Sequence, residues 1–452
     1  MSKNSKILHE LRKKILSTLF KDKHKKSETS FSRERKLTFS KMIILMTRKS
    51  VKSLQNILNE TEVYLSKVLD EPLVTITKGA YTQAREKLNY TAFIELCTDI
   101  RDAFYKEYDY LTYKGFRLLA VDGSMINLPS NEETQEKFNT INVVNQHKDK
   151  SKKIVQARIS VLYDVLNNVT IDAILSDSKT HEIVLTKEHH LEKAQEDDLI
   201  IFDRAYPSYE LFAKIVTKHN SNFLMRAKRS TYKKHTQALF DKDSGITDIT
   251  VDLKPATKAL KELCTQEDLP QTIRVRFVQV ILPDGEIEVL VTSVLDKNLL
   301  KHEDFKELYF KRWGIETFYE IVKNRLSLEN FTGTSVLAIQ QDFYATMFIT
   351  NLETIVAYDL NQEIQAEEPS KKHQQKINKS ISFNTIKNHA FELLFLDGDI
   401  AKALDTVYQL LQTNKVAIRP NRHFDRPTKE QSKVSKGIKS SAYQKRKKKM
   451  VF

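Results

Sequence analysis

The chain has 452 residues, 40% of them hydrophobic and 29% charged, which is enough to bury a sizeable apolar core and to divide into two or three domains. Its only cysteines are Cys97 and Cys264; they exclude a disulfide framework and a cysteine-based zinc site, and point to a reducing compartment. No apolar run is long enough for a signal peptide or a membrane span, so a cytoplasmic protein without a membrane partner is expected.

The formal charge of +14 is unevenly spread. Residues 1–50 carry fifteen Lys/Arg against four Asp/Glu, and residues 415–452 carry thirteen against two, so each end contributes +11 and the stretch 51–414 is left at −8. Lys-rich ends are commonly no more than solvated tails. Paired around an acidic body, they also suit a protein that grips a polyanion and keeps its carboxylates for chemistry.

The first 110 residues read as helical. Apolar positions recur at helical spacing in Ser40–Ile57 and Thr91–Tyr105, and between them Thr77 opens a capped helix whose polar face offers Gln83, Arg85 and Lys87. A solvated face is the plainer reading of those three, with contacts to phosphates or bases as the alternative. From Phe116 the texture changes to strands. Phe116–Val121 is an apolar run expected to stop in a tight turn at Asp122-Gly123-Ser124, and Ile154–Tyr163 and Val169–Leu175 alternate around an Asn167-Asn168 turn. Together these three predict an antiparallel meander. A charged helix follows over Thr180–Gln195, its His189-His190 pair read as solvated rather than metal-binding. Leu199–Phe202 then runs straight into Asp203, and Pro207 opens another helix.

Residues 226–300 bring strands at Asp248–Leu253, Thr272–Leu282 and Glu286–Leu295, the last two joined by a Pro283-Asp284-Gly285 turn, and read as a β-rich insertion. Helix returns at His302–Leu326 and Ser335–Tyr358. Residues 361–380 read as a polar linker, followed by helix over Ser382–Gln412 and a Lys/Arg-rich end. The implied division is a helical N-terminal DNA-binding region (1–110), a core in two parts (111–225 and 301–360) interrupted by the insertion (226–300), and a helical C-terminal region with a basic tail (361–452).

The chemistry-bearing residues are carboxylates. Hard divalent cations take oxygen ligands, and aspartates at the ends of buried strands are held rigidly enough to supply them; Asp122 and Asp203 are both so placed. A third carboxylate is expected from a helix packed across the sheet. Wound at about 100° per residue, Tyr309, Arg312, Glu316 and Lys323 fall within a sector of about 60°, bordered by the apolar face of Leu308, Ile315, Phe318, Val322 and Leu326. Lys311 lands among the apolar positions and must snorkel out or pair. Surface ion pairing would also give such a face; the functional reading makes Glu316 a metal ligand and Arg312 and Lys323 phosphate clamps. Ser124 and Ser208 have no histidine at recognisable spacing, which leaves serine nucleophile chemistry without support.

The spacing Y-(2)-R-(3)-E-(6)-K met by Tyr309, Arg312, Glu316 and Lys323 resembles the signature of the DDE transposases of bacterial insertion sequences, in the group called insertion sequence family four. Asp122-Gly123-Ser124 and the run from Asp203 through Arg204, Ala205 and Tyr206 to Leu211 are similar to that family's two Asp motifs, with Ala205 where the family usually has glycine. The stretch from Arg419-Pro420-Asn421-Arg422 to Lys436-Gly437 is similar to its C-terminal region. The resemblance runs from about residue 30 to the end of the chain.

It implies an α/β fold with an RNase H-like catalytic core, a β-rich insertion before the catalytic Glu helix, and helical flanking regions. It further implies metal-dependent cut-and-paste cleavage and strand transfer at the terminal repeats of an element. The implied catalytic and metal-binding residues are Asp122, Asp203 and Glu316, holding two Mg²⁺ or Mn²⁺ ions. DNA-binding residues would be Tyr309, Arg312, Lys323 and Arg204, with double-stranded DNA and a homodimeric synaptic complex as partners and a bacterial, nucleoid-associated location. The rival readings are an inactive transposase-derived DNA-binding regulator, and a nuclease or resolvase that cuts without strand transfer.

Overall fold

The structure is a computed structural model that describes residues 2–33, 35–144, 151–367 and 373–419. The basic C-terminal tail and most of the Arg419–Gly437 motif lie outside the described residues. The first elements are α1 (Lys3–Leu16), α2 (Thr18–His24), α3 (Phe39–Thr47), α4 (Leu54–Val68), α5 (Lys78–Arg85) and α6 (Thr91–Glu107). There follow β1 (Arg117–Asn127), α7 (Glu132–Phe138), β2 (Thr140–Val144), β3 (Ser151–Asp164), β4 (Val169–Asp177), α8 (Glu182–Glu188), β5 (Asp198–Phe202), α9 (Tyr209–Ala213) and β6 (Asn222–Ala227). Next come α10 (Lys233–Thr236), β7 (Asp248–Leu253), α11 (Lys258–Gln266), β8 (Ile273–Ile281), β9 (Ile287–Thr292), α12 (Asp304–Phe310) and α13 (Trp313–Glu320). The last are α14 (Val336–Ala366), β10 (Gln375–Ile377), α15 (Lys379–Asn388), α16 (Ala390–Leu394), α17 (Ile400–Thr413) and β11 (Lys415–Ala417). None of the helices among the described residues is long and apolar enough to cross a membrane.

The chain divides into two compact units, one made of Met1–Asp109, Met125–Ala157 and Ile321–Phe452, the other of Tyr110–Ser124 and Arg158–Glu320. The first is mainly helical and built on α14, whose residues are apolar almost all round over 31 positions and therefore bury on every side. Phe93 of α6 packs on Phe348 at 6.3 Å, and Tyr90 stacks on Tyr344. Arg85 is neither solvated nor free for a phosphate. It is buried, with its guanidinium donating to Gln341, Thr332, the Ala338 carbonyl and Asp342, the last at 2.9 Å. A helix full of apolar residues that also carries a buried Asp342 needs such a cation, because an unpaired charge there would cost several kcal/mol, roughly 3–5.

Two boundaries in this unit differ from expectation. The predicted helix over 40–57 is two helices, since Ser53 caps α4 by accepting from the Asn56 N–H and a serine that satisfies a helix start ends whatever precedes it. The described residues of the predicted linker at 361–380 lie in or beside regular elements: Leu360 and Ile364 continue the buried stripe of α14 as far as Ala366, β10 pairs antiparallel with β11, and Asn378 caps α15.

The second unit is α/β with a mixed sheet, strand order β4-β3-β1-β5-β6-β9-β8-β7; β2 pairs with the first part of β3 inside the helical unit. β1, β5 and β6 run parallel, and β6, β9, β8 and β7 run antiparallel. The strands expected between residues 226 and 300 are present and continue this sheet rather than forming one of their own. β5 reads as an uninterrupted apolar run because parallel strands are covered on both faces, and all five of its residues are buried. Helix α12 lays Phe305, Leu308 and Tyr309 on Leu118, Leu199, Ile201 and Val278.

The register of β1 against β5 is held by an ion pair. Arg117 and Asp198 are Cα partners, and the guanidinium donates twice to the carboxylate, at 2.6 and 2.8 Å, both side chains being almost fully buried. Arg117→Ala should lose about 3–5 kcal/mol of stability, since it strands a buried charge. Replacing both partners (Arg117→Met with Asp198→Leu) should cost far less, a contrast that urea unfolding of the three proteins would reveal.

Candidate active site

Asp122 and Asp203 are brought level by the sheet. The last register pair of β1 and β5 is Ala120 with Ile201, and each aspartate lies two residues beyond its member of that pair. Asp203 follows the end of β5 as expected; its carboxylate accepts the Arg204 N–H at 2.7 Å, and Arg204 itself is exposed. Asp122 differs from expectation. β1 does not stop in a turn at Asp122-Gly123-Ser124 but runs on to Asn127, so Asp122 sits inside a strand. Gly123 is there for space, since a Cβ at that position would run into the side chain of Glu182.

The helix signature is more irregular than a single helix. α12 ends at Phe310 and α13 starts at Trp313, with i to i+3 backbone bonds from Arg312 N–H to Tyr309 and from Ile315 N–H to Arg312. The chain then continues as a π-helical turn, Ile321–Arg325. Such tightening and loosening of the turn shifts side chains off an ideal wheel. Here it accompanies a close approach: a Cβ on Gly314 would lie 3.1 Å from Val165 at the end of β3. The apolar face is as expected, with Leu308, Ile315, Phe318, Val322 and Leu326 all buried. Lys311 pairs with Glu307 at 2.9 Å.

α13 is fastened to the Asp122 strand. The Tyr319 hydroxyl donates to the Asp122 carbonyl at 2.6 Å, and Phe318 packs on Tyr163 with ring centres 4.5 Å apart. Glu316 is 37% exposed and accepts from Arg312 at 2.8 Å; the Arg312 guanidinium lies over the rings of Trp313 and Tyr309. Tyr309 is buried, and its hydroxyl donates to the Phe202 carbonyl at 3.4 Å, one residue before Asp203. Lys323, in the helical unit, donates to the Met125 carbonyl at 2.8 Å.

Burial pushes the Asp122 carboxyl up to about 7; the Gly123 N–H and Arg312 pull it down, while Glu182 and Glu316 push it further up. Glu182, which the sequence placed with Glu188 and the two histidines on a solvated charged helix, instead stands beside Asp122. It opens α8, is bridged by Arg158, and accepts from the Tyr206 hydroxyl at 3.2 Å. Glu288 of β9 is also close enough to Asp203 and Arg312 to feel both, and is bridged by Arg226 at 2.6 Å. Neither was legible, because each arrives from an element whose sequence gives no sign of what it faces; the Gly following Asp122 was the one local hint that something bulky stands opposite.

His190 is not on a solvated helix face. It is fully buried, between Ser160 at 2.9 Å and Asp172 at 2.8 Å, and against its burial the Asp172 carboxyl is held below its ordinary value by that histidine. The order Ser-His-Asp is that of a hydrolase triad, but with Ser160 and His190 at 0% exposure no substrate reaches it. It satisfies buried polar atoms between β3, β4 and the turn after α8.

The oxygen-only donors Asp122, Asp203 and Glu316 are chemically suited to a hard divalent cation, and a carboxyl raised by burial and, to a lesser degree, by its carboxylate neighbours is one that such a cation would stabilise in its charged form. Among the described residues no three His, Cys, Asp or Glu side chains are close enough to hold an ion as they stand; Glu316 is turned to Arg312.

A family model described as "Transposase DDE domain" matches residues 113–352, just over half of the chain. Among solved structures, the chain is similar to a chain of the cryo-EM structure of a piggyBac transposase synaptic complex with hairpin DNA, at 11% identity and a TM-score of 0.42, covering 94% of this chain and 89% of that one. No curated protein sequence matches.

Gly123→Ala should lower stability by about 1–3 kcal/mol, the usual range for overpacking. In a double-mutant cycle with Glu182→Ala that penalty should largely vanish, as measured by thermal unfolding; equal penalties in both backgrounds would mean that Glu182 does not stand against Gly123.

Proposed function

The chain belongs to the transposase DDE domain family, and from that premise we propose that it is the transposase of a bacterial insertion sequence, cutting at the ends of its element and joining them to target DNA. The observation that carries the site is the level placement of Asp122 and Asp203 on neighbouring parallel strands, with the Glu316 helix tied to the Asp122 backbone through Tyr319. The strand order β4-β3-β1-β5-β6 supports an RNase H-like core, with the sheet extended by the strands of residues 226–300 as an insertion ahead of the Glu helix. The helical N-terminal region, the two-part core and the helical C-terminal region are proposed with the boundaries given above.

Asp122, Asp203 and Glu316 are the proposed ligands of Mg²⁺ or Mn²⁺. Two such ions, when bound, activate an attacking oxygen and stabilise a leaving one on a phosphodiester. The residues of the chain do the rest. Arg312 donates to Glu316 in an ion pair at 2.8 Å, so movement of Glu316 away from it would leave that part of the guanidinium for a phosphate, which it can meet with paired N–H donors. Lys323 and exposed Arg204 supply further cations to the DNA backbone. Tyr309 steadies the end of β5 beside Asp203 through its bond to the Phe202 carbonyl, and thereby orients the DNA-facing end of the strand. A homodimer holding two element ends is the proposed working assembly, in the cytoplasm and on the nucleoid when bound.

Asp122→Ala, Asp203→Ala and Glu316→Ala should each abolish Mg²⁺- or Mn²⁺-dependent cleavage and strand transfer on DNA carrying the element ends, while leaving DNA binding in EDTA intact. Full strand transfer by any of the three would refute the assignment. Arg312→Ala and Lys323→Ala should each reduce the slope of log binding constant against log salt by about one unit, the effect of removing one cation from a phosphate. An unchanged slope would make them structural ion-pair and hydrogen-bonding residues only.

A further inference from the structure

The helical unit contains a cavity of about 600 Å³ between the loop that follows α2 and one face of α5. Its rim carries Arg33, Arg35, Lys36 and Lys87, and no carboxylate is among its described lining residues. Elsewhere in the unit lysines are neutralised, as Lys41 is by Glu62 and Lys52 by Glu60, but none of these four is in an ion pair among the described residues. Set against Glu34, the single carboxylate within the Arg33–Lys36 stretch of the sequence, these four cations leave a net positive charge around the concavity that draws an anion in.

The interior is mixed: Thr29, Ser32 and Thr75 bring hydroxyls to its lining beside an apolar part. Leu37, Ile76 and Ala84 are buried beneath it, and Phe31 stands at its edge. Phe31 has φ of 56°, a left-handed conformation that a bulky side chain adopts only where its surroundings hold it, and such positions gather at ligand clamps. Its ring is braced edge-on by Phe39 at 5.5 Å. On the facing side, Ala80, Gln83 and Ala84 recur at the spacing of one face of α5, and Lys87 lies in the turn that follows it. The two alanines leave the space open, and Gln83 offers an amide that can both donate to and accept from a base edge.

An anionic rim-binder alone would need no apolar floor, and the backbone of intact duplex would need no concavity. A cationic rim, a partly apolar floor and hydrogen-bonding side chains (the Gln83 amide and the hydroxyls of Thr29, Ser32 and Thr75) together match a single nucleotide lifted out of the base stack, with its ring on the floor and its phosphates on the rim. We propose that this cavity receives one unpaired nucleotide of a DNA strand, with its base against Phe31, Leu37 and Ile76 and its flanking phosphates against Arg35, Lys36 and Lys87. This rests on the reading of the chain as a DNA-binding transposase, and adds that the helical unit distinguishes unpaired from paired DNA.

The test is equilibrium binding of the full chain to a short labelled oligothymidylate and to a duplex of equal length, by fluorescence anisotropy in EDTA over a salt series. Ala80→Trp fills the cavity from an exposed helical position without altering charge. It should weaken oligothymidylate binding about tenfold or more, as expected when a base can no longer stack, and leave duplex binding within about twofold. The combined Arg35→Gln, Lys36→Gln, Lys87→Gln variant should lower the single-strand salt slope by about two units, at about 0.7 for each phosphate no longer neutralised, with thermal unfolding used to verify the fold. Unchanged single-strand affinity in Ala80→Trp, or equal weakening of single strand and duplex in the charge variant, overturns the cavity assignment and leaves the transposase reading standing. Absence of DNA binding by the unaltered chain overturns both.

Discussion

The Arg117–Asp198 pair is the constraint from which the site follows. Parallel strands can slide in register at little cost in backbone hydrogen bonds, and a slip of one residue would turn every side chain to the opposite face. A buried, doubly bonded ion pair at the start of β1 and β5 makes any other register leave two charges unpaired in the core. Five residues further along both strands, the same register sets Asp122 and Asp203 level. The pair is a poor source of net stability, because desolvation offsets most of its Coulombic gain; what it supplies is position.

The Glu helix depends on that frame. Tyr319 reaches the backbone carbonyl of Asp122 itself, Gly314 allows the helix to close on Val165, and Tyr309 reaches the carbonyl before Asp203. Both aspartate strands are thus held by hydroxyls from the segment that carries Glu316. Around this frame charge is crowded: Glu182 and Glu288 stand near the aspartates, each bridged by an arginine. Burial first, and then Glu182 and Glu316, leave Asp122 reluctant to ionise, and the crowded carboxylates are in want of a cation, the electrostatic condition that divalent-ion chemistry uses.

Much of this is legible in the sequence because the deciding signals are local. β5 announces itself as an apolar run ending in Asp203, Thr77 as a helix cap, and the three strands of residues 226–300 by their alternation and their Pro-Asp-Gly turn; the helix expected from Pro207 is capped one residue later, by Ser208. The departures share a cause. A turn at Asp122-Gly123-Ser124 is suggested by a glycine whose purpose is to make room for Glu182. Arg85 and His190 look solvated because their helices look polar, yet each is buried against partners far away in sequence. Polarity alone suggests a linker at 361–380, although two apolar residues one turn apart suffice to carry α14 onward.

By itself the sequence determined the order and type of the elements around the site, and the spacing of Tyr309, Arg312, Glu316 and Lys323. Those follow from periodicity and turn chemistry, which act over a few residues. Only the tertiary structure decided that the Asp122 strand continues past its aspartate, that Glu182 crowds it, and that Gln83 and Lys87 face a basic loop across a cavity. These are contacts between segments distant in the chain, fixed by how sheet and helices pack, and no short-range pattern encodes them.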